Sequence, residues 1–404
     1  VKFQTFSADR LVTASASKAE YQNQTTDALE SQHDMLRKLE LSLEMHEELI
    51  AYCRKCGIEF FSTGFDIQSV DLLVDLGLEQ FKIGHVLGSS GGISRQTKVM
   101  PYLGGPFEPL IKRANENWKR LETESKQKVL HQCGFLQLAI NQDLPSPDET
   151  EIELFDETIL SDRFPQFQKL PKGTNGLLDK QGGLLRSELA IVSNCYVASI
   201  HGAHIRDGET VKDWYTDNDG VTVKTTIGKY RAKHLVIAAG AWNGKIFPQL
   251  RKYLQVTRLS LGWFTPNNPE IFKITNCPTW IHGNFYGFPI LQGLPGFKIA
   301  KHWHGDPTDP DHIKRKPNVV DETLLRDYLG RHIPSANGQL MEIKICMYTH
   351  GGPILGIVPD QKRVTVVSAC NGGGFKFSSA YGEALADLAT QGKTDIPIEF
   401  MALN

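Results

Sequence analysis

The chain has 404 residues, and at the usual domain size of roughly 100–200 residues this length predicts two or three domains. Its 44 Lys and Arg residues against 46 Asp and Glu leave a net charge of -2, which excludes the basic field that binds nucleic acid or an anionic membrane. The most apolar short stretch, Leu235–Trp242, is far shorter than the roughly 20 residues that span a bilayer. Seven scattered cysteines suit a reducing compartment, and no secretory signal opens the chain. We therefore expect a cytoplasmic protein with no nucleic-acid or membrane partner.

The first 84 residues alternate between strand and helix patterns. Val1–Phe6 and Ile58–Thr63 have strand composition, whereas Leu36–Cys56 and Ser69–Leu78 carry apolar residues at helical spacing. A further strand is expected at Glu79–Ile83. This alternation predicts a parallel sheet.

After Gly84 the pattern changes to a glycine- and serine-rich loop, so we place a domain boundary near residue 84. An amphipathic helix is expected at Pro109–Lys126. Two hairpin-like segments are expected at Ala198–Thr226 and Lys229–Ala239, and the second contains a buried strand at His234–Ala239. Residues 255–304 alternate as an aromatic β region. The chain ends on a strand, a glycine-rich loop and a helix, expected at Val364–Ala369, Cys370–Phe377 and Ser378–Thr390.

Five motifs in this larger part occur in the order found in one enzyme family. They are Gly84–Gly92 with Ser94 and Arg95, Ala239–Asn243, Phe285–Pro289 with Gly296–Lys298, Cys346–Thr349, and Gly373–Phe377 followed by Gly382, Glu383 and Gly392–Thr394. Residues 85–404 therefore resemble the monomeric sarcosine oxidase family, flavoenzymes that oxidise N-methyl and cyclic secondary amino acids. The resemblance implies an α/β FAD-dependent oxidoreductase fold, in which an incomplete Rossmann-like FAD domain accompanies a mixed antiparallel substrate domain at residues 255–345. A flavin-contacting segment is implied at residues 346–392.

The resemblance also implies a reaction. A hydride passes from the carbon beside a secondary amine to flavin N5, and oxygen then takes the electrons to give hydrogen peroxide and an imine that hydrolyses. The implied substrate is a small amino acid such as sarcosine or pipecolate, and the implied state is a monomer. Animal members of the family are often peroxisomal, but Met401–Asn404 is not a Ser-Lys-Leu-type ending.

The resemblance assigns catalytic and cofactor-linking roles to single residues. Cys346 matches the cysteine that bonds covalently to the flavin 8α-methyl group, although a lone buried cysteine is more often only a small apolar residue. Lys98 and Lys376 match the clamp for the substrate carboxylate. Lys98 stands where the family usually has Arg, so we expect weaker binding or a shifted substrate, with a solvated surface lysine as the alternative.

Three further residues match the family's substrate cavity. Lys298 corresponds to the lysine that promotes reaction with oxygen, with a lysine snorkelling from a strand as the alternative. Tyr286 and His302 would be polar lining of the cavity, or else hydrogen-bonded core residues.

The remaining assignments concern cofactor binding, and an ordinary turn or strand end is the alternative for each glycine motif. The implied cofactor contacts are Ser90, Arg95, Gly240, Trp242, Gly373, Gly374 and Phe375. Glycines let the backbone approach a ligand, and the helix expected after Phe377 directs its first amides toward it. No metal site is indicated.

Residues 1–84 resemble a different family, the barrel of N-acetylneuraminate synthases. The carriers are Val1–Phe6, Ala19–Gln22, Phe61–Thr63 with Phe65 and Asp66, and Phe81–Gly84. Lys2, Thr63 and Lys82 match positions that contact phosphoenolpyruvate in that family. The family's next motif and later strands are absent, and Val1 already lies within the first matched strand, so we expect a truncated start. A fusion of two incomplete genes and a mis-joined gene both explain this pattern, and residual synthase activity is a third hypothesis.

One expected flavoenzyme motif is missing. No G-x-G-x-x-G turn occurs in residues 1–90, although such a turn exposes the backbone amides that hold the FAD pyrophosphate. The βαβ segment in its place carries Phe65, Asp66 and Ile67 at the turn, where bulk and a carboxylate oppose phosphate, and Glu79 where an acidic residue could meet a ribose. We therefore predict weak FAD retention, and a protein unable to hold FAD is the alternative to an active oxidase.

Overall fold

The computed structural model describes residues 2–13, 18, 26–27, 30–58, 60–64, 67–76, 82–83, 92–140, 151–291, 296–303 and 305–403. The chain divides into two units, Val1–Ser89 and Ser90–Asn404. No helix among the described residues is long and apolar enough to cross a membrane.

The first unit contains the predicted parallel sheet. Its described strands are β1 (Lys2–Thr5), β2 (Phe61–Gly64) and β3 (Lys82–Ile83), which pair in that order. Its described helices are Ala8–Leu11, Gln32–Arg37, Leu43–Lys55 and Ile67–Asp75. The buried Thr5 hydroxyl lies 2.8 Å from His46 Nε2 and 2.7 Å from Ser62 Oγ. These two hydrogen bonds connect β1 to β2 and to the helix Leu43–Lys55.

The prediction of one helix across Leu36–Cys56 was wrong. The first helix ends at Arg37 and a second begins at Leu43, because the Ser42 hydroxyl accepts a hydrogen bond from Met45 N and caps a new helix. The Lys2, Thr63 and Lys82 side chains, and residues 79–81, lie outside the described part of the structure.

The second unit contains most of the secondary structure. Its described strands are β4 (Ser94–Thr97), β5 (Leu130–His131), β6 (Phe135–Ile140), β7 (Ile152–Phe155), β8 (Thr174–Asp179), β9 (Gly183–Arg186), β10 (Val211–Thr216), β11 (Val221–Thr225), β12 (Lys229–Ala232), β13 (Leu235–Ile237), β14 (Gln255–Phe264), β15 (Thr279–His282), β16 (Phe285–Phe288), β17 (Phe297–Lys301), β18 (Leu340–His350), β19 (Ile354–Val358) and β20 (Gln361–Ser368). Its described α-helices are Glu108–Ser125, Glu157–Arg163, Ser187–Ile200, Asn243–Ile246, Val319–His332 and Ser378–Gln391. Short 3-10 turns occupy Met100–Tyr102, Gly240–Trp242, Pro248–Lys252, Pro269–Phe272, Pro334–Ala336, Phe375–Phe377 and Glu399–Met401.

Within the described residues, eight strands form one mixed sheet in the order β18-β14-β17-β16-β15-β6-β8-β7. Only its β15–β6 pair is parallel. Smaller described sheets have the orders β4-β9-β5, β13-β20-β19 and β10-β11-β12. This mixture of helices and strands confirms the predicted α/β class.

The two faces of the large sheet have different chemistry. On β17, Phe297 and Ile299 are buried with residues of the helix Val319–His332. Because side chains alternate along a strand, Lys298 and Ala300 point to the other face, with Cys346 of β18. The helix therefore covers one face, and the opposite face, which we call the site face, carries Lys298 and Cys346 among apolar side chains.

A pair of helices supports the loop at the end of β20. On the helix Glu108–Ser125, Arg113 Nε donates to Glu383 at 2.8 Å, which ties it to the helix Ser378–Gln391. The Trp118 indole N–H donates to the Lys376 carbonyl at 3.0 Å, and its ring stacks on Phe375. The helix pair thereby fixes the backbone around Lys376.

Several sequence expectations need correction. The hairpin begins at Val211 rather than near Ala198, because a helix continues to Ile200. The helix Val319–His332 and the long strand β18 were not predicted. The predicted helices at Pro109–Lys126 and Ser378–Thr390 are confirmed within two residues at each end.

Candidate active site

Lys298 is buried at the centre of the site face, with 2% of its surface exposed. Its ammonium group donates to the Gly92 carbonyl and, at 2.8 Å, to the Ser94 carbonyl. It also lies 4.3 Å from the centre of the Phe288 ring and 5.5 Å from that of Trp263. Burial, and then the positive charge of Arg95, hold the pKa of Lys298 well below its usual value. The site face therefore contains a buried amine that can gain or lose its charge.

Cys346 lies on β18, opposite Leu259 of β14, and packs with Leu261, Trp263 and Ala300 on the site face. Tyr348 follows two positions later and so points to the same side. The Cys346 sulfur lies 3.6 Å from the Met347 carbonyl oxygen.

Tyr286, His302 and Tyr348 form one hydrogen-bonded group. The Tyr348 hydroxyl lies 3.1 Å from the Tyr286 hydroxyl and 3.0 Å from His302 Nδ1. The Tyr286 and His302 rings stack with centroids 4.1 Å apart. Burial raises the pKa of Tyr348 well above its usual value and also raises the pKa of Tyr286, so both hydroxyls stay protonated near neutral pH.

Lys98 and Lys376 face the same region. Lys98 Nζ lies 4.2 Å from the centre of the Phe135 ring, and Lys376 Nζ donates to the Gly373 carbonyl at 2.6 Å. Burial, and then the positive charge of Lys376, lower the pKa of Lys98 to about 7, while burial lowers the pKa of Lys376 to about 8. The negative charge of the Asp179 carboxylate acts in the opposite direction on the pKa of Lys98. Two buried amines that lie close together are a candidate position for an anion.

The loop after β20 carries Phe375 and Lys376 next to the segment that contains Arg95 and Lys98. A Cβ atom at Gly374 would lie 1.7 Å from the Ala369 carbonyl oxygen, so only glycine fits this turn. The Arg95 guanidinium lies 6.0 Å from the centre of the Phe375 ring. Arg95 and Lys98 both come from the segment that begins with β4, and Phe375 and Lys376 are adjacent in the loop. The two segments thus bring the predicted cofactor and carboxylate residues together.

Other predicted cofactor residues have different surroundings. Gly240 begins a 3-10 turn after β13, and a Cβ atom there would lie 3.7 Å from Cys370 Sγ. The Trp242 indole N–H donates to Asp311 at 2.6 Å, in an exposed contact. Ser90 lies outside the described residues.

Residues 77–388 match the family described as FAD dependent oxidoreductase. The chain belongs to this family. It is 33% identical over 353 residues to a monomeric sarcosine oxidase of Bacillus sp. (strain NS-129), covering 82% of this chain and 90% of that protein. It is 30% identical over 336 residues to the peroxisomal sarcosine oxidase of Homo sapiens, covering 77% and 85%. These matches confirm the resemblance drawn from the five motifs.

A solved structure supports the FAD-dependent oxidoreductase fold. The open form of NikD, an unusual amino acid oxidase essential for nikkomycin biosynthesis, superposes with a TM-score of 0.67 at 22% identity. The superposition covers 86% of this chain and 92% of NikD. Residues 1–88 match the NeuB family, which confirms the predicted sialic acid synthase fragment.

The site face fits the flavin end of the FAD that the family name implies. It offers the thiol of Cys346, the buried amine of Lys298, the guanidinium of Arg95 and the tight backbone at Gly374. A flavin ring gains negative charge on reduction, and the Arg95 guanidinium and a protonated Lys298 would suit that charge. Phe65 and Asp66, expected at the phosphate-binding turn, lie outside the described residues.

Sequence reasoning gave no role to three residues that lie beside the predicted site residues. Tyr348 links Tyr286 to His302, Trp263 lies beside Lys298, and the Glu188 carboxylate accepts a hydrogen bond from Ile93 N at 3.0 Å. The period-2 spacing from Cys346 already places Tyr348 on the same face. Trp263 and Glu188 have no such signal, because their contacts depend on strand pairing between distant segments.

Proposed function

We propose that this protein oxidises a secondary amino acid with oxygen, giving an imine and hydrogen peroxide. The observation that carries the proposal is the buried cationic pair Lys98 and Lys376, next to a site face that holds Lys298, Cys346 and the Tyr286–His302–Tyr348 group. Such a pair suits the carboxylate of an amino acid in a place where an uncompensated anion could not be buried.

In this proposal, different side chains bind the carboxylate of the substrate, donate a hydrogen bond to it and accept a proton from its amine. Lys98 and Lys376 bind the carboxylate and so fix the N–Cα bond of the substrate, which removes orientational freedom before reaction. The hydroxyls of Tyr286 and Tyr348 stay protonated, and one of them can donate a hydrogen bond to a polar atom of the substrate while the other keeps the bond between them. His302, hydrogen-bonded to Tyr348, can hold a proton from the amine.

A bound FAD would supply the hydride acceptor and the route by which the electrons reach oxygen. Cys346 would hold its ring covalently, and Arg95, Gly373, Gly374 and Phe375 would line it. Lys298 would place positive charge where oxygen gains electrons. Residues 1–84 and 85–404 form the two parts of the chain in this proposal, with residues 255–345 as the substrate domain.

The test is anaerobic mixing of the flavin-loaded protein with sarcosine, pipecolate or proline. We expect the flavin absorbance to bleach with at least one of them and air to restore it with release of hydrogen peroxide. Lys376→Met should raise the substrate concentration needed for half-maximal bleaching by at least about tenfold, because one charged contact to the carboxylate is lost. Lys393→Met, on a residue after the last long helix, is the matched control. A flavin-loaded protein that no secondary amino acid bleaches would overturn the proposal.

A further inference from the structure

Trp303 combines two unusual properties for a tryptophan. Its side chain is 64% exposed, although large aromatic side chains are normally buried for most of their surface. Its backbone has φ of 48°, in the left-handed region that bulky residues rarely adopt. An exposed side chain on a strained backbone needs a reason other than packing of the core.

The exposed ring is in contact with the proposed active site. His302 is stacked on Tyr286 with centroids 4.1 Å apart, and Trp303 stacks on His302 at 5.2 Å with 28° between the planes. The three rings form a row that begins on the site face and ends at the protein surface. We call Tyr286, His302 and Trp303 the aromatic row.

The backbone explains how Trp303 comes to lie in this row. Lys298, Ala300 and His302 alternate onto the site face, so a continuing strand would direct residue 303 to the opposite face. β17 ends at Lys301, and the left-handed conformation at Trp303 breaks the alternation. The Trp303 ring therefore lies beside His302, and most of its surface remains free for another flat group.

We propose that Trp303 is a specificity-determining residue that stacks on a flat apolar group of the substrate. The preferred substrate is then a secondary amino acid with an aromatic substituent, rather than sarcosine, which has no ring to stack on Trp303. This inference rests on the proposed function for the placement of the carboxylate and amine. What the inference adds to the proposed function is that Trp303 recognises an aromatic ring of the substrate.

The experiment compares Trp303→Ala and Trp303→Phe with the wild-type holoprotein. The substrates are N-methyl-L-tryptophan and sarcosine, measured as kcat/KM from peroxide release. Calorimetry gives Kd for indole-3-acetate and acetate, two carboxylates that have no amine to oxidise. Tyr196→Ala removes another exposed aromatic side chain, on the helix Ser187–Ile200, and is the matched control.

We expect Trp303→Ala to lower kcat/KM for N-methyl-L-tryptophan about tenfold and to weaken indole-3-acetate binding by a similar factor, because a stacked aromatic pair is lost. The values for sarcosine and acetate should change less than about twofold, Trp303→Phe should recover most of the loss, and Tyr196→Ala should match the wild type. Equal losses for both substrates, or no loss of ring binding, would overturn the inference while leaving the proposed oxidation intact. Ring binding that depends on Trp303 in a protein that oxidises neither amine would support the inference and overturn the proposed function.

Discussion

Lys98 stands where the family resemblance leads us to expect an arginine, and its lowered pKa makes the proposed carboxylate clamp sensitive to pH. The pKa values of Lys98 and Lys376 are about 7 and about 8, and only the protonated amines attract a carboxylate. Both lysines are charged at about pH 6, and both are mostly neutral at about pH 9. Binding of an anion therefore has to weaken as the pH rises through this range.

We predict that Kd for acetate rises at least about tenfold between about pH 6 and about pH 9 in the wild-type protein. Acetate has no group that titrates in this range, so the change reports on the protein. Lys98→Arg should bind more tightly at high pH and flatten the curve, since an arginine stays charged throughout. Calorimetric titrations at several pH values give the comparison, and superimposable curves for the two proteins would show that Lys98 does not contact the anion.

Cys346 carries a second prediction at the level of one side chain. Cys346→Ala should leave no flavin on the polypeptide after denaturation, because only the thiolate can form the bond to the 8α-methyl group. Cys370→Ala removes an exposed cysteine in the neighbouring loop and should retain the covalent flavin. In-gel flavin fluorescence of the denatured proteins distinguishes the two, and a fluorescent Cys346→Ala band would refute the assignment.

A carboxylate at the end of strand β8 holds the backbone next to Lys98, the first lysine of the proposed clamp. The Asp179 carboxylate has 2% of its surface exposed and accepts hydrogen bonds from Val99 N at 2.6 Å, Met100 N at 2.9 Å and Gln181 N at 2.9 Å. Two of these donors follow Lys98 directly in the chain. One buried carboxylate thus fixes the backbone on which the first lysine of the clamp is placed.

Asp179→Ala should lower the free energy of unfolding by about 2–5 kcal/mol, because buried N–H donors lose their acceptor. The same change should weaken acetate binding, since Lys98 is then less firmly held. Asp213→Ala, at an exposed position, should change stability by less than about 0.5 kcal/mol. Denaturant unfolding followed by circular dichroism measures both, and an Asp179→Ala midpoint equal to that of the wild type would contradict this role.

A helix or strand can be predicted from the sequence when its pattern of apolar and capping residues lies within a short stretch of the chain. The helix Glu108–Ser125 has one apolar face along its whole length and was predicted almost to its ends. The helix Val319–His332 was not predicted, because it opens on two exposed valines, Val319 and Val320, although a capping box of Asn318 and Asp321 marks its start. Its place is decided by packing against the large sheet, which no short window of sequence contains.

The same distinction separates the predicted site residues from those found only in the structure. Cys346, Lys298 and Lys376 stand in short motifs that the resemblance could assign. The role that we infer for Trp303 depends on its stacking on His302 and on its left-handed backbone conformation. Neither property can be deduced from the residue types alone. Tertiary contacts and unusual dihedral angles are the information that a motif lacks.

At the scale of the whole chain, the match to the NeuB family covers residues 1–88 and the match to FAD dependent oxidoreductases covers residues 77–388. The pyrophosphate of FAD usually rests on bare backbone amides at the start of a helix, in a glycine-rich turn. Residues 1–90 contain no G-x-G-x-x-G, whereas the residues that we propose to contact the flavin ring lie in the second unit. The chain therefore offers side chains that could bind the flavin ring but no glycine-rich turn that could bind the pyrophosphate.

We predict that the purified protein contains clearly less than one FAD per chain, and that FAD binds to the flavin-free protein no more than about tenfold more tightly than FMN does. Each well-placed charged hydrogen bond to the second phosphate and the adenosine would add about 1.5–3 kcal/mol in favour of FAD, and a chain without the glycine turn lacks the amides that make them. Flavin content follows from the absorbance near about 450 nm after isolation, and fluorescence titrations give the two dissociation constants. One FAD per chain with a strong preference over FMN would contradict the prediction and would mean that other residues bind the pyrophosphate.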